Sequence, residues 1–356
     1  MSSPRSSRFV VIAIILLIGT FWAFSSATGK ANGGYPADIL IDGTWLKAHK
    51  DDPGTVVVDV RQDKYLDGRF IPGAVRLPYS EFQVDDNANG VGSVFVGASI
   101  AQEILGKAGI SREDTVILYD SVKRDGGATS SYFFWVLDYL GHKKVKVLNR
   151  GIDGWVDAGN EIVDAPATAE PVLYQAPADE INTSILTTGE FIRSRLGDTH
   201  YLIMDVRSPE EYIGEKANGM FGGGPLKLGH IPTSINIEYK SAWVDNESKA
   251  IKDYAGLLET YRGLDPTKTI ILYCHSGRRA SFTYLILRLM GLEDVKVYEA
   301  SYYEWGRPDK YFPVELEVNK LSGVDLPTNL KKAQGGVKKT GEKGGPAKGG
   351  YVSCGG

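Results

Sequence analysis

The sequence predicts an α/β protein made of two tandem domains, each a parallel sheet flanked by helices. Three observations predict it. The chain has 356 residues, enough for two domains of ordinary size. One set of short segments occurs twice in the same order. Short β-branched runs also alternate with helical patterns, as expected of buried parallel strands covered by helices on both faces.

The repeat is read directly. Val56-Val57-Val58-Asp59-Val60-Arg61 returns as Leu202-Ile203-Met204-Asp205-Val206-Arg207. The segment from Gly68 to Val75 returns, one residue shorter, from Gly229 to Ile235, and Thr115–Asp120 returns as Thr269–Cys274. Val145-Lys146-Val147 returns as Val295-Lys296-Val297, and Gly154-Trp155 as Glu304-Trp305. Order is kept and the offset drifts by only a few residues, which duplication of a whole domain explains.

In chain order, residues 1–27 form a targeting leader. Arg5 and Arg8 precede an uncharged apolar run, Phe9 to Phe24, too short for an ordinary spanning helix. Ser25-Ser26-Ala27 then supplies small residues for cleavage after Ala27. The reading is a signal peptide or a signal anchor; left uncleaved, it would tether the protein to a membrane. Either way the folded part is expected outside the cytoplasm, periplasmic or extracellular. Residues 34–165 form the first domain. The Ala- and Pro-rich stretch Asp164–Pro177 places a linker at 166–178. Residues 179–318 form the second domain, with helical patterns at Asp253–Arg262 and Arg278–Met290. In the latter, Phe282, Leu285, Ile286, Leu289 and Met290 mark one apolar face and Gly291 a stop. An excursion with five glycines, Gly214–Leu228, is expected as a loop over or beside the site. Residues 319–356 form a Gly- and Lys-rich tail, expected to be disordered.

Composition narrows the function. With 42% hydrophobic and 24% charged residues the chain is ordinary globular protein, and a formal charge of −4 leaves no nucleic-acid footprint. Two cysteines, Cys274 and Cys354, exclude a disulfide framework. Zinc-type Cys/His spacing is absent, and neither metal nor organic cofactor is expected.

The chemistry concentrates at Cys274-His275-Ser276-Gly277-Arg278-Arg279. An apolar strand ends at Tyr273-Cys274 and a helix begins near Arg278. Ligands of open α/β sheets gather at such strand ends. A tight loop there turns backbone N–H groups inward as an anion nest, and the following helix adds its positive end. A cysteine so placed is expected to be held partly as thiolate, the nucleophilic form. Arg279 is expected to close the loop as the nest's outer wall, the alternative being a pair with a carboxylate such as Asp205, and Arg278 to face ligand or solvent. His275 reads equally as a functional or a solvent-facing loop residue. In the first repeat Asp120 stands where the cysteine would be.

From about Gly34 to Pro313 the chain resembles the two-domain rhodanese family of thiosulfate and 3-mercaptopyruvate sulfurtransferases. Four motifs carry the resemblance: Asp205-Val206-Arg207 with Glu211-Tyr212, Gly229-His230-Ile231-Pro232, the cysteine loop, and Glu299-x-Ser301-x-x-Glu304-Trp305. It implies tandem rhodanese-like domains, the first catalytically silent. It also implies a persulfide carried on Cys274, with His275, Ser276, Gly277, Arg278, Arg279 and Arg207 as substrate-binding residues and Asp205 in support. The implied partners are a small anionic sulfur donor and a thiol or cyanide acceptor. The basic loop favours thiosulfate, a dianion, over 3-mercaptopyruvate. Where many thiosulfate enzymes of the family carry arginine before the tyrosine of the second Asp-x-Arg motif, this chain carries Glu211. Cysteine phosphatases are the rival of another class. They require five residues between cysteine and arginine, whereas four separate Cys274 from Arg279 and position 280 is Ala280. A non-catalytic interaction module is the second rival; it suits the first repeat. A tail arm using Cys354 as sulfur acceptor is the weakest idea, and a solvated basic tail is preferred.

Overall fold

The structure, a computed structural model, describes residues 33–86, 90–217, 219–221 and 224–321. The leader, Gly222 and Gly223 of the glycine-rich excursion, and the tail beyond Leu321 with Cys354 lie outside the described residues.

The first domain contains β1 (Leu40–Ile41), α1 (Gly43–His49), β2 (Thr55–Asp59), β3 (Val75–Arg76), β4 (Gln83–Asp86), β5 (Val91–Phe95), α2 (Ala98–Lys107), β6 (Thr115–Tyr119), α3 (Ala128–Tyr139), β7 (Val145–Leu148) and α4 (Gly151–Asp157). The second contains β8 (Leu186–Thr187), α5 (Gly189–Ser194), β9 (Tyr201–Asp205), α6 (Pro209–Tyr212), β10 (Met220–Phe221), β11 (Gly224–Pro225), β12 (Ile235–Asn236), α7 (Tyr254–Thr260), β13 (Thr269–Tyr273), α8 (Arg278–Leu289), β14 (Val295–Tyr298) and α9 (Ser301–Trp305).

Each domain has a five-stranded sheet, ordered β1-β7-β6-β2-β3 in the first and β8-β14-β13-β9-β12 in the second. All pairings within these sheets are parallel. The orders are the same when the repeats are aligned, and so is the register: Asp59 lies opposite Tyr119 as Asp205 lies opposite Tyr273. The β-branched runs of the sequence are the central strands, buried on both faces as parallel sheets require.

The duplication reaches further than the sequence comparison did. Val163 bridges Phe70 and Ala167 bridges Val75; in the second domain Glu315 bridges His230 and Asn319 bridges Ile235. The start of the linker is therefore an edge of the domain fold. Its later part stays on the first domain, where Val172 N–H donates to the Gly106 carbonyl and Ala176 N–H to Gln102 Oε1.

Local rules account for the helix ends. Asp253 caps α7 by accepting from Gly256 N–H, and Ser208 and Glu211 form a reciprocal capping box around α6, with Pro209 at its first position. Gly291 ends α8 with φ +83°. The expectation of one apolar face for α8 understates its burial. All of Arg278–Leu287 is buried, including Ser281, Thr283 and Tyr284, and the helix packs on α3 of the other domain. Phe134 of α3 meets Tyr284, whose hydroxyl donates to Asp138 at 2.5 Å. One apolar core runs through both domains along this seam.

Glu299 crosses the same seam. Its carboxyl accepts from Tyr132 O–H at 2.5 Å and from Phe95 N–H at 2.8 Å, both in the first domain. Burial pushes it up from 4.5 to about 7, against the opposing effect of those hydrogen bonds. A carboxyl raised in this way contributes fully below its unfolded pKa and loses that contribution as pH climbs through its folded value. Wild type should therefore lose stability relative to Glu299→Gln between about pH 4.5 and 7. The gap should approach on the order of 3 kcal/mol. Urea unfolding of both proteins across that window measures it; parallel curves would refute the assignment.

Candidate functional site

The site forms where β13 ends. Cys274 is the first residue beyond Tyr273 and is only 1% exposed. Two residues separate it from Gly277, which precedes α8 with φ +81°. A Cβ at Gly277 would lie 2.9 Å from Glu299 Cγ and 3.0 Å from its carbonyl oxygen, so both backbone sign and space demand glycine there.

The loop is stitched to the next strand's end by Ser301. Its Oγ accepts from the N–H groups of Cys274 (3.1 Å) and Gly277 (3.2 Å) and donates to the Tyr298 carbonyl (2.6 Å). Tyr302 N–H and Tyr303 N–H then donate to the carbonyls of Cys274 and His275. Ser301 holds φ +54°, a left-handed conformation uncommon for serine, and its equivalent in the first domain, Gly151, also holds φ +54°. Arg278 N–H donates to the Ser276 carbonyl. Two of the amides that the expected anion nest would draw on are thereby engaged within the site's own framework. Those of Gly277 and Arg278 serve the loop itself. Among the described residues the amides of His275 and Ser276 donate to no backbone carbonyl.

Both loop arginines are ion-paired. Arg279 forms a two-point pair with Glu211, Nη1 to Oε2 at 2.8 Å and Nη2 to Oε1 at 3.0 Å. Its partner is not Asp205, the candidate read from sequence, because Asp205 is already engaged. Asp205 accepts from the backbone, Nε and Nη2 of Arg207 and from Tyr273 O–H at 2.7 Å. Arg278 donates through Nε to Asp125 at 2.9 Å and through Nη1 to Tyr79 O–H at 3.3 Å; both partners belong to the first domain.

The remaining predicted residues fall as follows. Ser276 is the one residue of the six-residue loop that is not buried. His275 is buried beneath the excursion: a Cβ at Gly219 would come within 2.7 Å of its ring. Burial, then Arg279, push the imidazole down to about 3, so it stays neutral at ordinary pH. Arg207 was expected to bind substrate, but it is 2% exposed. Its guanidinium engages Asp205, donates to the Gly229 carbonyl at 2.8 Å and lies 3.8 Å from the centroid of the Tyr302 ring. Placed so, it braces the sheet end. Arg61 repeats the arrangement on Asp59 and the Arg69 carbonyl.

At the first domain's equivalent strand end Asp120 is buried. Its Oδ2 accepts from Thr129 O–H and Ser130 N–H in the first turn of α3, and burial holds the carboxyl above its ordinary range. Among the described residues no group of three or more His, Cys, Asp or Glu side chains gathers as metal ligands.

Fold and site together define a duplicated parallel α/β protein with one cysteine loop, the other copy being cysteine-free. A family model described as the rhodanese-like domain matches residues 42–158 and 188–307, more than half of the chain. The chain belongs to the rhodanese-like family. It is 29% identical over 295 residues to the thiosulfate sulfurtransferase of Corynebacterium glutamicum, covering 81% of this chain and 93% of that protein. It is 33% identical over 277 residues to the putative thiosulfate sulfurtransferase SseA of Mycobacterium tuberculosis, covering 75% and 87%. The Tum1 protein of Saccharomyces cerevisiae shares the fold with a TM-score of 0.65 at 20% identity, over 78% of this chain and 98% of its own.

Sequence reasoning did not assign Ser301, Glu211, Asp125 or Tyr79 to the site. Ser301 and Glu211 lay inside quoted motifs; Asp125 and Tyr79 lie in the other repeat and carried no signal. If Ser301 holds the loop, Ser301→Ala should lose the stitch and keep the backbone strain. It should cost about 1–2 kcal/mol and slow alkylation or sulfur loading of Cys274 about tenfold. Ser301→Gly should slow Cys274 equally yet be less destabilised, as glycine tolerates the backbone. Thermal melts and Cys274 kinetics separate the two effects.

Proposed function

We propose that the protein is a thiosulfate sulfurtransferase working through a persulfide on Cys274. The observation that carries this is the placement of Cys274 at the end of β13. It lies before the N-terminus of α8, whose positive end favours an incoming anion, in a loop pinned by Ser301. The names of relatives matched over most of the chain support the donor.

The reaction has two steps. The Cys274 thiolate attacks the outer sulfur of thiosulfate, the sulfur–sulfur bond breaks, and sulfite leaves with the bonding electrons. A thiophilic acceptor, cyanide or a thiol, then attacks the terminal sulfur of the persulfide, and the thiolate returns. Such a relay has ping-pong kinetics. His275, neutral and buried, is not asked to move a proton. One observation favours 3-mercaptopyruvate as a second donor. With Arg278 on Asp125 and Arg279 on Glu211, the loop carries less uncancelled positive charge than its sequence suggests, and a monoanion needs less of it than a dianion. We further propose export, supported by the Arg5, Arg8 and Phe9–Phe24 pattern of the leader.

Incubation with thiosulfate should add one sulfur to the intact mass, on the Cys274 peptide. Cys274→Ser should lose both the added sulfur and thiocyanate formation from cyanide, a drop of at least about a thousandfold. Loading from 3-mercaptopyruvate alone would transfer the assignment to that donor. Loading from neither would refute it.

A further inference from the structure

The loop after β6 in the silent domain is not a degenerate copy of the cysteine loop. Gly127 and Gly277 are equivalent: each precedes its buried helix with positive φ, +90° and +81°. Six residues separate Asp120 from Gly127, whereas two separate Cys274 from Gly277. The additional residues carry Arg124 and Asp125 across the domain seam. Asp125 Oδ2 takes Nε and Nη2 of Arg278 at 2.9 and 2.8 Å, and Nε of Arg124 lies 3.3 Å from the same oxygen. Tyr79 O–H is shared from the other side by Arg124 at 2.9 Å and Arg278 at 3.3 Å. The loop is held in place by the second domain. Lys249 Nζ donates to the carbonyls of Val122 and Arg124, its side chain occupies the space beside Gly126, and Phe282 of α8 packs on Gly127.

Arg278 is therefore not a cation offered freely to a ligand. It is 5% exposed, and its charge is opposed by a carboxylate from the other domain. Glu211 opposes Arg279 from within the catalytic domain. We infer that Asp125 is a positioning and specificity-determining residue of the cysteine site. It fixes the Arg278 guanidinium and subtracts its charge, so that the silent domain sets how strongly the site draws an anion. This rests on the sulfur-transfer reading for its biological meaning but not for its physics. Arg278 opens α8 four residues after the buried Cys274, and removing a charge paired with it changes the attraction of an anion there, the more so in a poorly hydrated site.

The test uses the full chain carrying Asp125→Asn, Arg278→Gln or both. Asparagine keeps the shape and one hydrogen bond to Arg278 and removes only the charge. Two readouts are taken. One is kcat/KM for thiosulfate with cyanide as acceptor. The other is the rate ratio of iodoacetate to iodoacetamide alkylation at Cys274, resolved from Cys354 by peptide mass spectrometry. Asp125→Asn should raise the alkylation ratio and kcat/KM on the order of tenfold, chiefly through KM, and Arg278→Gln should lower both by a similar factor. The double variant should return to within about threefold of wild type, since the two charges cancel; a merely structural role would give additive losses instead. An unchanged or lowered alkylation ratio in Asp125→Asn, or a double variant no better than Arg278→Gln, overturns the inference. Failure of wild type to load from thiosulfate would count against the sulfur-transfer reading alone, because the alkylation ratio still decides this one.

Discussion

The packing of α3 against α8 is the constraint on which the rest of the molecule depends. Each helix follows the central strand of its own sheet, and each is buried on every side because the other covers its outer face. A helix covered in this way cannot present charge to water at its first turn. Arg278 and Arg279 start α8 and are buried, so each must find a carboxylate nearby. Glu211 comes from the second domain and Asp125 from the first. The same seam brings Tyr132 and Phe95 to Glu299, directly beneath the glycine that turns the cysteine loop. The site is thus a product of both repeats, although only one supplies the cysteine.

A second interaction occurs once per repeat. Asp59 and Asp205 each accept the backbone and side chain of the arginine two residues on, and that arginine reaches a carbonyl in the crossover to the edge strand. Buried ion pairs of this kind are weak sources of net stability, yet removing one partner strands the other at a cost of several kcal/mol. Their value here is geometric. They fix where the crossover leaves the sheet, and in the second domain Tyr273 joins the cluster and links it to the strand that presents Cys274.

Most of the fold was legible in the chain because it is written twice. β-branched runs, capping residues and terminal glycines behave locally, and the repeat supplies the long-range order that local signals lack. Cys274 and its loop were legible for the same reason: strand, turn and helix are contiguous. What could not be read depended on the other domain. The single apolar face expected of α8 is only part of its burial, since Tyr284 meets α3 and Ser281 and Thr283 are buried as well. Arg279 was offered Asp205 because motif spacing does not reveal that Asp205 is already saturated by Arg207 and Tyr273. Arg207 was read as a ligand contact because an arginine in a motif looks available until its partners are seen. Asp125 had no signal at all, lying in a segment notable only for differing from the cysteine loop.

The paired left-handed residues, Gly151 and Ser301, bear on how the two halves diverged. Both occupy the same backbone position, but only the serine brings a hydroxyl that gathers two loop amides. Replacing Asp120 with cysteine would place a sulfur atom in the first domain without the stitch or the short loop around it. Further changes would be needed at once, including removal of the residues that now neutralise Arg278. Because the longer loop of the first copy supplies Asp125 to Arg278, shortening it would disturb the second copy's site before a cysteine loop could form in the first.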